Sequence, residues 1–213
     1  MKFHALIFFI VSFLLLANVS LATKGVDVSQ SISSSAFKCL KNNGFDFAIV
    51  RCGRSSGSPD PNCASNVQNA WGAGMAHVDA YIFPCPSCGN GASQVINTVR
   101  AYGGKSVGML WLDIEGPQYW SSNQGTNRAF FNSMLDGARQ AGVRVGVYTS
   151  SSQWNPIMGS WSGGSAYPLW YAHYDNSPSF SDFRSFGGWS KPAMKQYQGD
   201  QSQCGVGIDL NVY

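Results

Sequence analysis

Leu110-Trp111-Leu112-Asp113-Ile114-Glu115-Gly116 is an apolar run that ends in two carboxylates, and Glu115 is the one glutamate in 213 residues. Asp and Glu are poor strand formers and are rarely buried without a partner. A chain that uses glutamate nowhere else has not placed Glu115 for helix propensity or surface charge. In a strand alternate side chains share a face, which puts Asp113 and Glu115 on one side, roughly 7 Å apart. Like charges at that spacing raise one pKa and keep one carboxyl protonated near neutrality, as general acid catalysis requires. A buried ion-pair network or a metal-binding pair would use the same two residues.

The organisation around this run is regular. Short apolar, β-branched or aromatic runs near 25–29, 45–52, 76–83, 107–115, 143–150, 168–174, 193–198 and 207–213 give eight candidate strands. Between the first six lie helical stretches at 33–42, 62–71, 91–102, 125–140 and, more weakly, 151–158. In the clearest, Phe130, Phe131, Met134, Leu135 and Ala138 recur at three-and-four spacing, and Gly142 follows as a stop. Residues 176–191 read as loop and 199–205 as a turn. Strand–helix alternation predicts right-handed parallel βαβ units. Eight full β/α repeats need about 250 residues, more than this chain has. The expected fold class is therefore α/β, a modified TIM-like barrel of five β/α units closed by three strands, (β/α)5(β)3. An open doubly wound sheet is the alternative. No glycine fingerprint for phosphate or dinucleotide binding occurs.

Residues 1–22 read as a secretory signal peptide: Lys2 gives a basic start, an apolar stretch runs over 5–17, and Ser20-Leu21-Ala22 resembles a cleavage site. The apolar stretch is short for a bilayer span. Residues 23–213 are then one domain, expected to be a monomer without stable membrane insertion. Without Lys2, 13 basic residues face 11 acidic ones, a net charge of +2 that does not suggest a nucleic-acid partner. Cys39, Cys52, Cys63, Cys85, Cys88 and Cys204 are an even set for an oxidising compartment, and sequence leaves their pairing open. Cys85-Pro86-Ser87-Cys88 has no second ligand pair for zinc and is expected to be a structural bridge rather than a redox site. After the signal peptide only His77 and His173 remain, in no ligand motif, and no G-x-S-x-G elbow occurs. No metal and no cofactor are expected.

In β/α barrels chemistry sits at the C-terminal ends of the strands. Asp27 lies in the first candidate strand, Asp113 and Glu115 end the fourth, and Asp209 lies in the last. Barrel closure makes the first and last strands neighbours, so Asp27 and Asp209 are expected to flank one pocket. Asp46, Asp60, Asp136, Asp182 and Asp200 are expected on the solvated surface, with Asp79, Asp175 and His173 structural.

Several stretches then match one family in order: Gly25-Val26-Asp27-Val28-Ser29, Leu112-Asp113-Ile114-Glu115, Leu169-Trp170-Tyr171-Ala172 with Tyr174, Gln196-Tyr197, and Gly207-Ile208-Asp209-Leu210-Asn211. Together they resemble the family 25 glycoside hydrolases, the Chalaropsis-type lysozymes. The resemblance implies the same (β/α)5(β)3 barrel and hydrolysis of the β-1,4 bond between N-acetylmuramic acid and N-acetylglucosamine in bacterial peptidoglycan. It implies Glu115 as the acid and Asp113 as the group that orients the substrate 2-acetamido. Asp27 and Asp209 would fix the charge pattern, hold water or contact sugar hydroxyls, and Tyr81, Tyr148 and Trp170 would contact sugar. The place of action would be outside the cell or in the lumen of a phagosome or lysosome. Where bacterial members carry Tyr-His-Tyr or Tyr-His-Phe this chain has Tyr81-Ile82-Phe83, and with its Cys85–Cys88 loop it resembles the cysteine-bearing eukaryotic branch. Chitinases of a related barrel carry further aspartates where Gly108 and Trp111 stand. A catalytically silent glycan-binding protein on this scaffold is the non-enzymatic alternative.

Overall fold

A computed structural model describes residues 22–213, so the expected signal peptide lies, apart from Ala22, outside the described residues. Eight strands close into one barrel in chain order: β1 (Lys24–Val28), β2 (Phe47–Gly53), β3 (His77–Ile82), β4 (Leu110–Asp113), β5 (Val145–Thr149), β6 (Leu169–Ala172), β7 (Met194–Gln203) and β8 (Val206–Val212). Neighbours from β1 to β7 are parallel, while β8 runs antiparallel to both β7 and β1. Helices α1 (Ser34–Asn42), α2 (Cys63–Gly72), α3 (Gly91–Arg100), α4 (Gln124–Ala141) and α5 (Ser151–Met158) follow the first five strands. This is the (β/α)5(β)3 arrangement that strand spacing predicts.

Local sequence explains the elements. Ser33 caps α1 by accepting from the Ala36 amide, and Asn123 caps α4 by accepting from Gly125 and Thr126. Gly142 ends α4 at φ +67°, a conformation that favours glycine. The predicted stripe of α4, Phe130 to Ala138, is buried against the barrel. A continuous apolar layer between strands and helices surrounds a second cluster inside the barrel, built from Phe47, Ile49, Trp111, Tyr148, Trp170 and Met194. Gly25 and Gly146 make room for that filling: a Cβ at Gly25 would lie 2.4 Å from the Phe47 ring, and one at Gly146 2.3 Å from Trp111. Side chains plug the lower barrel, which leaves its C-terminal mouth for chemistry.

Two expectations are corrected here. Residues 199–205 are mostly strand, since β7 runs to Gln203 and only Cys204-Gly205 make the turn, both at positive φ. The polar run Asp200-Gln201-Ser202-Gln203 hides the strand because it lies beyond the apolar core, where the register shifts against β8. Asp60 is not surface. It is 3% exposed, accepts from Arg51 Nε at 2.7 Å, and caps the turn before α2 through the Asn62 amide.

Three disulfides join Cys39 to Cys204, Cys52 to Cys63, and Cys85 to Cys88. The first ties α1 to the β7–β8 turn, the second ties β2 to α2, and the third closes a short turn after β3, as expected for a structural bridge. Among the described residues no helix is long and apolar enough to cross a membrane.

Candidate active site

All seven sequence-predicted residues, Asp27, Tyr81, Asp113, Glu115, Tyr148, Trp170 and Asp209, line one pocket of about 90 Å³ at the C-terminal mouth of the barrel, together with Tyr174 and Gln196. The β1–β8 register makes Asp27 and Asp209 direct partners. β4 ends at Asp113, and Glu115 follows it with its backbone held from both sides. Ile114 N donates to Tyr148 O, Thr149 Oγ1 donates to Ile114 O, Gly116 N donates to Gln153 Oε1, and Trp120 Nε1 donates to Glu115 O, each at 2.8–2.9 Å. A carboxylate on so fixed a backbone keeps its aim.

Gln196 and Asn211 organise the other wall. Gln196 Nε2 donates to Asp27 Oδ2 at 2.7 Å and to Asp209 Oδ2 at 3.2 Å, and its Oε1 accepts from Tyr148 at 2.6 Å and Tyr174 at 2.9 Å. Asn211 Nδ2 donates to Asp27 Oδ2 at 2.8 Å, and its Oδ1 accepts from Trp170 Nε1 at 2.8 Å. Sequence reasoning assigned no role to Gln196, Asn211 or Tyr174. The first two carry no charge to attract notice, and only strand alternation combined with closure turns them inward. Trp170 and Tyr148 are almost fully covered and form the floor, with ring centroids 4.6 Å apart, whereas Tyr81 is half-buried and Tyr174 exposed.

The four carboxylates share the pocket without a lysine, arginine or histidine in its lining. Burial pushes Asp113 well above the usual carboxylate range, with the Glu115 and Asp27 charges adding to it. Burial and the Asp209 charge lift Asp27 to about 7, against the hydrogen bonds from Asn211 and Gln196. Glu115 is raised by burial and then by Asp209, and Asp209 chiefly by burial. Asp113 Oδ1 is buried without a hydrogen-bond partner. A protonated, unpartnered carboxyl beside a second raised carboxyl can donate to one substrate group while the other transfers a proton.

A larger groove of about 750 Å³ lies between the segments that follow β3 and β4 and the start of α4. Its lining includes Pro84, Gln118, Tyr119, Trp120 and Phe130 and no charged side chain. Trp120 connects it to the site, since the same indole holds the Glu115 carbonyl.

Outside the pocket, His173, Asp175 and Asp182 converge closely enough to hold an ion. Lys195 Nζ lies 2.8 Å from both Asp175 Oδ2 and Asp182 Oδ1, so the cluster carries its own cation. Asp182 therefore departs from the surface role expected of it. Burial opposes its ionisation, but hydrogen bonds from Lys195, His173 and Tyr171 outweigh that and hold it at about 2. Asp79 is structural as expected, accepting from Met109 N and Trp111 Nε1, and His173 is hydrogen-bonded to Asp182.

An eight-stranded β/α barrel with paired carboxylates at its mouth has the groups that the glycoside hydrolase class uses. The family model for lysozyme-like protein 1 matches residues 18–197. "Probable GH family 25 lysozyme 2" of Dictyostelium discoideum is 52% identical over 216 residues, covering 100% of each chain. Among solved structures, a family GH25 lysozyme from Aspergillus fumigatus superposes with TM-score 0.76 at 22% identity, over 91% of this chain and 94% of its own. A bacterial lysozyme from Streptomyces coelicolor gives TM-score 0.71 at 25% identity, over 90% and 92%. The chain belongs to the glycoside hydrolase family 25 lysozymes.

Proposed function

We propose that this lysozyme is a muramidase, cleaving the β-1,4 bond between N-acetylmuramic acid and N-acetylglucosamine in bacterial peptidoglycan. Glu115 protonates the departing glycosidic oxygen, for which a raised pKa and a pinned backbone suit it. Asp113 receives and orients the 2-acetamido group. The observation that carries this reading is the buried, unpartnered Asp113 Oδ1 beside Glu115, an acid group with no partner within the protein. Asp27 and Asp209, tied through Gln196, set the charge of the opposite wall and bind sugar hydroxyls or water. Trp170, Tyr148 and Tyr81 form the aromatic surface beneath and beside the sugar. The uncharged groove past Trp120 takes further neutral sugars of the same strand. No metal and no cofactor enter these steps. The chain acts as a monomer outside the cell or in a phagosomal or lysosomal lumen, a setting that three disulfides support.

The test is digestion of purified peptidoglycan with mass analysis of the released ends. Reducing N-acetylmuramic acid ends are expected, and Glu115→Gln should lower the rate by about 100-fold or more. Release of reducing N-acetylglucosamine ends, or binding without turnover, would overturn the assignment.

A further inference from the structure

Lys195 is fully buried, and all three of its ammonium hydrogens are used on one loop. It donates to Asp175 Oδ2 at 2.8 Å, Ser179 O at 2.9 Å and Asp182 Oδ1 at 2.8 Å. That loop, residues 173–193, joins β6 to β7 where the other parallel crossovers carry helices. Tyr174 lies at its start, at the apex of a tight bend in which Asp175 N donates to His173 O at 3.0 Å. His173 N and Asn176 N each donate to β7, on Gln196 O and Tyr197 O, so Tyr174 and Asp175 bulge out between two fastened points. Asn176 leaves the bulge at φ +58°, a left-handed conformation that asparagine tolerates better than most residues with a Cβ. The Asp175 carboxylate holds the bend with both oxygens, one on Ser177 N and one on Lys195.

Lys195 and Gln196 are consecutive on β7 and face opposite sides of the barrel wall. Gln196 reaches inward to Asp27, Asp209, Tyr148 and the Tyr174 hydroxyl. Lys195 reaches outward to the loop that carries Tyr174. We propose that Lys195 is a positioning residue: by clamping Asp175, Ser179 and Asp182 from behind the wall, it sets Tyr174 at the rim of the catalytic pocket, where the exposed phenol ring contacts the bound sugar. Gly199 fits this placement, because the Tyr174 ring lies 3.2 Å from where a Cβ on residue 199 would stand. The mechanism itself uses none of the four clamping groups, and the buried ammonium is otherwise unexplained. The substrate side of the proposal rests on the muramidase reading.

The experiment is a double-mutant cycle between Lys195→Met and Tyr174→Ala, read in KM and kcat on peptidoglycan and in Kd for an N-acetylglucosamine oligomer. Asp175→Asn is a second route to the same release, on a residue near the surface that leaves Lys195 paired with Asp182. Lys195→Met and Asp175→Asn are each expected to raise KM and Kd by about 10-fold with kcat changed less than 3-fold. The double variant should be no worse than Tyr174→Ala alone. Multiplying losses, unchanged KM and Kd in a folded Asp175→Asn, or a loss confined to kcat would overturn the clamp. A wild type that binds the oligomer but cleaves nothing would instead sink the muramidase reading, and the Kd cycle would still decide the clamp.

Discussion

Asp27 and Asp209 stand opposite each other across the antiparallel seam between β1 and β8, joined through the amide of Gln196. The seam is where the first and last strands meet, so the pocket's second pair of acids exists only after the barrel has closed.

Closure gives stability a pH dependence. Asp27 rises from 3.8 to about 7 on folding, so between those values the folded chain keeps a proton that the unfolded chain has lost. This contribution is complete below about pH 4 and is lost as pH rises through 7. Thermal melts should show a Tm several degrees higher at pH 4.5 than at pH 8, and Asp27→Asn should reduce that difference, with the raised Asp113, Glu115 and Asp209 keeping the remainder. A Tm that climbs steadily toward pH 8 would contradict the placement of Asp27.

Replacing Gln196 tests the network that sequence alone did not reveal. Gln196→Met removes donors from Asp27 and Asp209 and the acceptor shared by Tyr148 and Tyr174. A stability loss of about 1–3 kcal/mol is expected from the orphaned groups. Activity should fall by up to about 100-fold. Its pH profile should shift upward, because the lost hydrogen bond is one of those that hold Asp27 down. Urea titration and a pH–rate series would measure both.

Tyr119 lines the uncharged groove and is 55% exposed, so Tyr119→Ala should fold normally. If sugars extend into the groove, the variant should lose about 5-fold to 10-fold in kcat/KM on long glycan strands, as one lost stacking contact predicts. The shortest cleavable oligosaccharide should be unaffected. Equal loss on both would place Tyr119 in the catalytic pocket instead, and a loss that disappears on peptide-stripped strands would assign the groove to the stem peptide.

The Cys39–Cys204 bridge spans a sequence separation of 165 residues, and chain-entropy reasoning gives it about 5 kcal/mol. Replacing both cysteines by serine should lower the urea midpoint markedly. The same change at Cys85 and Cys88, separated by 3 residues, should cost about 2 kcal/mol at most.

The strand and helix pattern was legible because each segment has its own period and its own stop, as Phe130 to Gly142 shows. Glu115 was legible through its singularity, and Asp27 and Asp209 through the topology that makes the first and last strands neighbours. Gln196 and Asn211 were not, since a neutral amide in a strand has the same local signature whether it faces solvent or a carboxylate. Asp60 and Asp182 were misplaced for a related reason. Both lie in polar, loop-like surroundings, and their burial depends on Arg51 and Lys195, strand residues whose side chains leave the barrel wall to reach them. Partners of that kind are set by tertiary packing and leave no trace in spacing.

The same long bridge changes what a cut in the chain would mean. Any single break of the backbone between Cys39 and Cys204 leaves one covalent molecule, because the sulfur link keeps both pieces together. Asp113 and Glu115 lie inside that span and Asp27 and Asp209 outside it, so a nicked chain still carries its complete set of acids. For a hydrolase exposed to proteases, the bridge converts a severing event into a scar.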